Sequence, residues 1–168
     1  MRTSEGNRRS TSPVAHLTVY EVAGKAQEPY PYWMTRARMK YRILVVDDDE
    51  IVSAMVGEML DRMGYMPVVC TRPGDALTLF SRAPERFDAV IVDEIMPDMR
   101  GTELAAKILR IKDDIPIILT TGRGDTLSLE KIRKSGVRAT LIKPVLREWL
   151  QKTLASLLKQ RKQDSKDG

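Results

Sequence analysis

The chain is expected to fold as an α/β domain in which five strands alternate with five helices, a (βα)5 unit doubly wound around a parallel five-stranded sheet of order 2-1-3-4-5. Three observations predict this. Short apolar, β-branched runs recur between residues 41 and 142. The stretches between them carry apolar residues at helical spacing. The intervals are too long for hairpins, so successive strands must be joined by crossovers and run parallel. Right-handed crossovers then place helices on both faces. In this order the switch point lies between the first and third strands, whose carboxyl ends stand side by side.

Residues 41–46 are apolar and β-branched, a buried first strand. Residues 50–63 form a helix, with Ile51, Met55, Met59 and Met63 four apart and Val52, Val56 and Leu60 alongside. The Met row is expected to be core. Gly64 ends the helix as a left-handed terminator. Residues 66–70 make the second strand, with Cys70 as a packing residue. Pro73 opens a helix to about residue 82, since proline is favoured in a first turn. Residues 87–92 are the third strand, and Thr102 is the expected cap of a helix reaching Ile111. Residues 116–120 form the fourth strand, 127–135 a short helix closed by Gly136, 138–142 the fifth strand and 146–158 the last helix, against which Trp149 packs or makes a dimer face.

At 168 residues the expectation is one domain, 41–158, flanked by tails. Residues 1–40 are Ser/Thr/Arg-rich and then proline-containing, and are expected to be disordered or a linker. The run Leu17-Thr18-Val19-Tyr20-Glu21-Val22 has strand-like composition but no partner in the pattern. Tyr30, Tyr32 and Trp33 form an aromatic cluster able to dock on the domain, and His16 has no second ligand nearby. Residues 159–168 are a polar C-terminal tail, expected to fray.

The net charge of +5 sits in these tails. Residues 1–40 hold seven Lys/Arg and three Glu (+4), residues 159–168 four and two (+2), and the middle 17 and 18 (−1). A near-neutral domain with basic tails argues against direct nucleic-acid binding. No apolar run approaches the roughly 20 residues of a membrane span, and no apolar stretch follows Met1 to suggest a secretion signal. A single cysteine suits a reducing, cytoplasmic setting.

The chemistry gathers at the strand ends. The first strand runs into Asp47-Asp48-Asp49-Glu50 and the third into Asp93. Asp49 and Glu50 suit the start of a helix, where acids favour the dipole. Asp47, Asp48 and Asp93 then share one pocket, where unpaired carboxylates repel. A divalent cation removes the conflict, and all-oxygen ligands suit Mg²⁺, with Mn²⁺ as substitute. The fourth strand ends at Thr120-Thr121-Gly122 and the fifth at Lys143-Pro144, on the same edge. Lys143 can neutralise an anion at Asp93, Thr121 can donate to it, and Gly122 leaves room for it. These are the parts of phosphoryl transfer to a carboxylate, with Asp93 as nucleophile and an acyl phosphate as product.

Residues 42–158 resemble the receiver domain of bacterial two-component response regulators. The resemblance rests on Ile43-Leu44-Val45-Val46-Asp47-Asp48-Asp49, on Val92-Asp93-Glu94-Ile95-Met96-Pro97-Asp98-Met99-Arg100-Gly101, on Thr121-Gly122 and on Lys143-Pro144. It implies a flavodoxin-like fold. It also implies Asp93 as acceptor of phosphate from a phosphohistidine, and Mg²⁺ held by Asp48, Asp93 and the Ile95 backbone carbonyl with Asp47 in support. The implied partner is a sensor histidine kinase or a histidine phosphotransfer protein. Thr121-Gly122-Arg123-Gly124-Asp125 and Leu141-Ile142-Lys143-Pro144 are most similar to receivers fused to hybrid sensor kinases.

Two positions depart from the family pattern. Three residues before the lysine, where many receivers carry an aromatic, stands Thr140, and Ile95 is apolar two residues after the acceptor. An apolar Ile95 cannot orient an attacking water, so slow self-dephosphorylation is expected. With no helix-turn-helix pattern outside the domain, output is expected by contact with a downstream protein or by phosphorelay. Two alternatives stand beside this reading. One is a haloacid-dehalogenase-like phosphatase using Asp47 in Asp47-Asp48-Asp49. The other is a pseudo-receiver that only binds partners.

Overall fold

The computed structural model describes residues 17–18, 41–122 and 129–167. The expectations for His16, for the aromatic cluster Tyr30, Tyr32 and Trp33, for Arg123-Gly124-Asp125 and for the first two residues of the predicted 127–135 helix lie outside them.

Among the described residues, six strands and five helices succeed one another. They are β1 (Leu17–Thr18), β2 (Arg42–Val46), α1 (Glu50–Arg62), β3 (Met66–Cys70), α2 (Pro73–Arg82), β4 (Ala89–Asp93), α3 (Gly101–Ile111), β5 (Ile117–Thr121), α4 (Leu129–Lys134), β6 (Ala139–Ile142) and α5 (Arg147–Asp167). A turn of 3-10 helix at Pro84–Arg86 precedes β4. The sheet order is β1-β3-β2-β4-β5-β6. From β2 onward all pairings are parallel, and these five strands stand in the expected order 2-1-3-4-5.

β1 is the addition. Leu17 and Thr18 lie antiparallel to Cys70 and Val69 on the β3 edge, a pairing that no crossover pattern announces. The run at 17–22 thus does have a partner, over two residues.

Two apolar layers sandwich the sheet. On one face Val90, Val92, Leu44 and Val46 pack with Ala76 and Phe80 of α2 and with Leu104, Ala105 and Ile108 of α3. On the other, Ile43, Val45, Ala89 and Ile91 pack with Val56 and Leu60 of α1 and with Leu150, Leu154 and Leu158 of α5. Each fully buried Ile or Leu here contributes about 1.5–3 kcal/mol relative to exposure.

The inward stripe of α1 is not the one expected. Its buried residues are Ser53, Val56, Gly57 and Leu60, whereas Ile51 is 82% exposed and Met55 40%. Small Ser53 and Gly57 let the helix lie close to the sheet: a Cβ on Gly57 would sit 3.1 Å from Val69 Cγ2. Close approach at that stripe turns the Met55 side outward, and only Met63 packs against the core, partly. Asp49 caps α1 as anticipated, its Oδ1 accepting the N–H groups of Ile51 (2.9 Å) and Val52 (3.1 Å). Gly64 comes next at φ +82°, the left-handed turn that favours glycine.

Three further expectations are corrected. Thr102 does not cap α3; it lies inside the helix, whose N-cap is Arg100. Trp149 is 58% exposed, with the Lys152 ammonium 5.8 Å from its ring centroid, so it does not pack the core, and of its two expected roles only the dimer face is compatible with that exposure. The chain does not fray at 159, because α5 continues to Asp167. Arg161 fastens it: Nε lies 2.9 Å from Asp114 Oδ2 and Nη1 3.1 Å from the Asp88 carbonyl. Lys162 covers the Tyr41 ring at 5.2 Å.

Candidate functional site

The carboxyl ends of β2, β4, β5 and β6 meet at one edge because the parallel registers end together: Val46 opposite Val92, Asp93 opposite Thr120, Thr121 opposite Ile142. The residues that leave each strand are therefore delivered to one place.

Asp47 comes directly after β2 and is still on the ladder, its N–H donating to the Cys70 carbonyl (3.2 Å). It is buried. Its Oδ1 accepts the Asp49 N–H (3.0 Å) and its Oδ2 the Lys143 ammonium (2.8 Å). Asp93 is the last residue of β4 and is also buried. Lys143 Nζ lies 2.8 Å from its Oδ1, and its Oδ2 accepts the Ile95 N–H (3.2 Å). Asp48 is exposed at the mouth. Asp47, Asp48 and Asp93 each present an oxygen within 4.8 Å of the others.

Lys143 bridges two acids from its place after β6. Its own N–H donates to the Thr121 carbonyl (2.8 Å), which ties the lysine backbone to the end of β5. Burial works to lower its pKa, but the hydrogen bonds to Asp47 and Asp93 outweigh that and raise it, so the ammonium stays charged. Burial pushes the Asp47 carboxyl upward, against the Lys143 and Asp49 hydrogen bonds that pull it down. One ammonium among three carboxylates leaves the pocket short of positive charge. An all-oxygen donor set in that condition fits a hard divalent cation.

Each predicted site residue is thus accounted for. Asp47, Asp48, Asp93 and Lys143 come together, and the Ile95 backbone lies at the Asp93 carboxylate through its N–H. Thr121 is buried at the end of β5, and its hydroxyl donates to the Gly122 carbonyl (3.1 Å). Thr120 is a site neighbour that sequence reasoning misses: its hydroxyl stands 3.4 Å from Asp93 Oδ1 and from the Val92 carbonyl, a long contact that still fills the floor beside the acid. The pairing of Asp93 with Thr120 in register would have pointed to it. Three exposed apolar side chains belong to the segments just beyond the acids: Ile51 and Met55 on α1, and Ile95 after β4.

A doubly wound sheet with an acidic pocket and a bridging lysine at its carboxyl edge defines a class, and the comparisons agree with it. The sequence profile described as the response regulator receiver domain matches residues 43–155. The chain belongs to that family. It is 34% identical over 110 residues to the two-component response regulator ARR14 of Arabidopsis thaliana, covering 66% of this chain and 29% of the relative. It is 27% identical over 123 residues to the transcriptional regulatory protein CitT of Halalkalibacterium halodurans, covering 72% and 54%. The chain thus spans about a third to a half of these relatives. Among solved structures, a CheY-like response regulator receiver domain protein from Methanospirillum hungatei JF-1 superposes with a TM-score of 0.67 at 28% identity, covering 74% of this chain and 98% of that one. A receiver domain protein from Clostridium thermocellum gives 0.69 at 25%, covering 73% and 97%. The chain is therefore a receiver domain of two-component signalling, and the haloacid-dehalogenase-like reading with Asp47 as nucleophile is set aside. Among the described residues, no helix is long and apolar enough to cross a membrane.

Proposed function

We propose that Asp93 is the phosphoacceptor of this receiver. The observation that carries the reading is the Lys143 ammonium at 2.8 Å from both Asp93 and Asp47, in a pocket where those acids and Asp48 converge. An Asp93 carboxylate oxygen attacks phosphorus, the bond to the donor's imidazole nitrogen breaks, and the imidazole leaves with its electron pair. Asp93 is then a mixed carboxylic–phosphoric anhydride. The β4 backbone aims the carboxylate, and the Ile95 N–H holds its second oxygen. Lys143 stays charged and is placed to follow the added negative charge. The end of β5 at Thr121, with Gly122 after it, would border the space for the phosphoryl oxygens.

Asp48, Asp93 and the Ile95 carbonyl, with Asp47 in support, are the residues that would hold Mg²⁺ or Mn²⁺. When bound, the cation supplies charge neutralisation for the phosphoryl oxygens. The donor is a sensor histidine kinase or a histidine phosphotransfer protein in the cytoplasm, and output passes to a protein partner rather than to nucleic acid or membrane. Residues 41–158 are the functional unit of this reading.

The test is phosphorylation by acetyl phosphate with Mg²⁺, followed by borohydride trapping. The label is expected at Asp93 and absent from Asp93→Asn. Label at Asp47, or none in the presence of Mg²⁺ and a competent donor, overturns the reading.

A further inference from the structure

Next to Asp93 lies an acid that phosphoacceptor chemistry leaves unused. Glu94 is fully buried. Its backbone extends the ladder, N–H to the Thr120 carbonyl (2.9 Å), and its own carbonyl accepts the Gly101 N–H (3.0 Å). Strand alternation turns its side chain to the face of Val90 and Val92, the apolar layer beneath α3. There Oε2 accepts the Thr102 backbone N–H (2.9 Å) and Oε1 the Thr102 hydroxyl (3.3 Å), while the Arg100 guanidinium stands 3.7 Å away. Arg100, the N-cap of α3, makes no side-chain cap bond. The cap that the first turn needs comes from Glu94 instead. Burial of the carboxylate is offset by a helix N-terminus and a guanidinium.

We propose that Glu94 is a positioning residue for the acidic site, acting through the backbone of the 94–102 loop; this rests on the function proposed above. By tying the end of β4 to the start of α3, Glu94 closes that loop. The closed loop sets where the Ile95 peptide meets the Asp93 carboxylate, 3.2 Å from N–H to Oδ2. The Ile95 carbonyl, the backbone oxygen expected at the cation, belongs to the same run. An apolar side chain at position 94 fills the layer but leaves the half-buried Thr102 N–H without its acceptor, so the loop must shift to find one.

The experiment compares the wild-type chain with Glu94→Gln and Glu94→Met. It measures Mn²⁺ binding by electron paramagnetic resonance and phosphorylation by acetyl phosphate, with circular dichroism to confirm the fold. Gln keeps both size and an acceptor oxygen; Met keeps only size. Glu94→Met is expected to weaken Mn²⁺ binding by about tenfold, within the range for residues supporting metal ligands. It should also slow phosphorylation at subsaturating cation. Glu94→Gln is expected to remain near wild type on both. Wild-type Mn²⁺ affinity in folded Glu94→Met makes Glu94 a structural cap alone and overturns the inference, whatever the melting temperature does. If Glu94→Met does not fold, Thr102→Val, which exchanges the hydroxyl for a methyl and so removes one of the two Thr102 contacts to Glu94, must shift Mn²⁺ affinity in the same direction; an unchanged affinity overturns the inference too. A wild-type chain that neither binds Mn²⁺ nor takes phosphate on Asp93 instead defeats the underlying function, and the inference with it.

Discussion

Gly101 lies directly against the Asp93 peptide: a Cβ at Gly101 would stand 2.2 Å from the Asp93 carbonyl oxygen and 3.0 Å from Glu94 Cα. Both obstacles are backbone, so neither can swing aside. Gly101→Ala therefore forces β4 and α3 apart at Asp93. Overpacking of this kind costs about 1–3 kcal/mol. Urea denaturation should show the loss. The same variant should be phosphorylated more slowly even under conditions where it is fully folded, because the displaced atom belongs to Asp93 itself. Full activity in a destabilised Gly101→Ala would show that the backbone relaxes without moving the carboxylate.

Arg161 reaches back across the chain to Asp88 and Asp114, and so holds the end of α5 under the amino-terminal ends of β4 and β5. Asp88 has a second task, accepting the Arg42 N–H at 2.8 Å. The Arg161 side chain is 19% exposed and its two acids more so, so solvent screens the charges. After that discount Arg161→Ala is expected to cost about 1 kcal/mol. Hydrogen exchange should show amides after Leu158 losing protection while those of β4 keep theirs. The difference from wild type should shrink at high salt. Equal protection in both proteins would mean that the last turns of α5 need no such anchor.

Much of the fold is readable in the chain because each parallel strand is a β-branched run ending in a chemically distinct residue. Asp47, Asp93, Thr121 and Lys143 can be placed on one edge from strand order alone. The features that escape depend on partners far apart in sequence. Arg161 looks like one more charge in a polar tail until Asp88 and Asp114 are beside it. Glu94 reads as a loop acid after a strand, and only the seating of α3 shows that it is buried and is the cap. Thr102 has the right residue type for a cap but the wrong place, because a side chain from another element takes the role. On α1 a four-residue Met row outweighs Ser53 and Gly57 when the sequence is read alone. In space the small residues decide how closely helix and sheet approach. β1 escapes because a two-residue antiparallel pairing has no periodicity to read.

Cys70 gives a check on the packing of β3 at the site's edge. It is buried, and burial with a further push from Asp75 raises its thiol to about 11. At pH 8 only about one thiol in a thousand is then ionised, and thiolate is the reactive form. Reaction with a disulfide reagent should be very slow in the native protein and fast in denaturant, where the thiol returns to about 8.5. Raising the pH towards 11 should speed the native reaction while the fold persists. Rapid labelling at pH 8 without unfolding would mean that the β3 end opens readily, and Asp47 with it through the Cys70 carbonyl.

Ile95 is expected to set how long a phosphoryl group stays on Asp93. Its N–H is committed to Asp93, but its side chain is 51% exposed beside the pocket. Hydrolysis of the acyl phosphate needs a water oriented towards phosphorus, and an aliphatic side chain offers that water no hydrogen bond. Asn at this position has both a donor and an acceptor. Because the Ile95 side chain faces solvent rather than core, the exchange changes stability little. Ile95→Asn is expected to shorten the phosphoryl lifetime by about tenfold, followed on phosphate-affinity gels after removal of the donor. The phosphorylation rate should change less, since the Ile95 backbone, not its side chain, contacts Asp93. A wild-type lifetime of seconds, unchanged in Ile95→Asn, would place control of hydrolysis elsewhere. Lys143, with its ammonium 2.8 Å from Asp93 Oδ1, would then be the next side chain to vary.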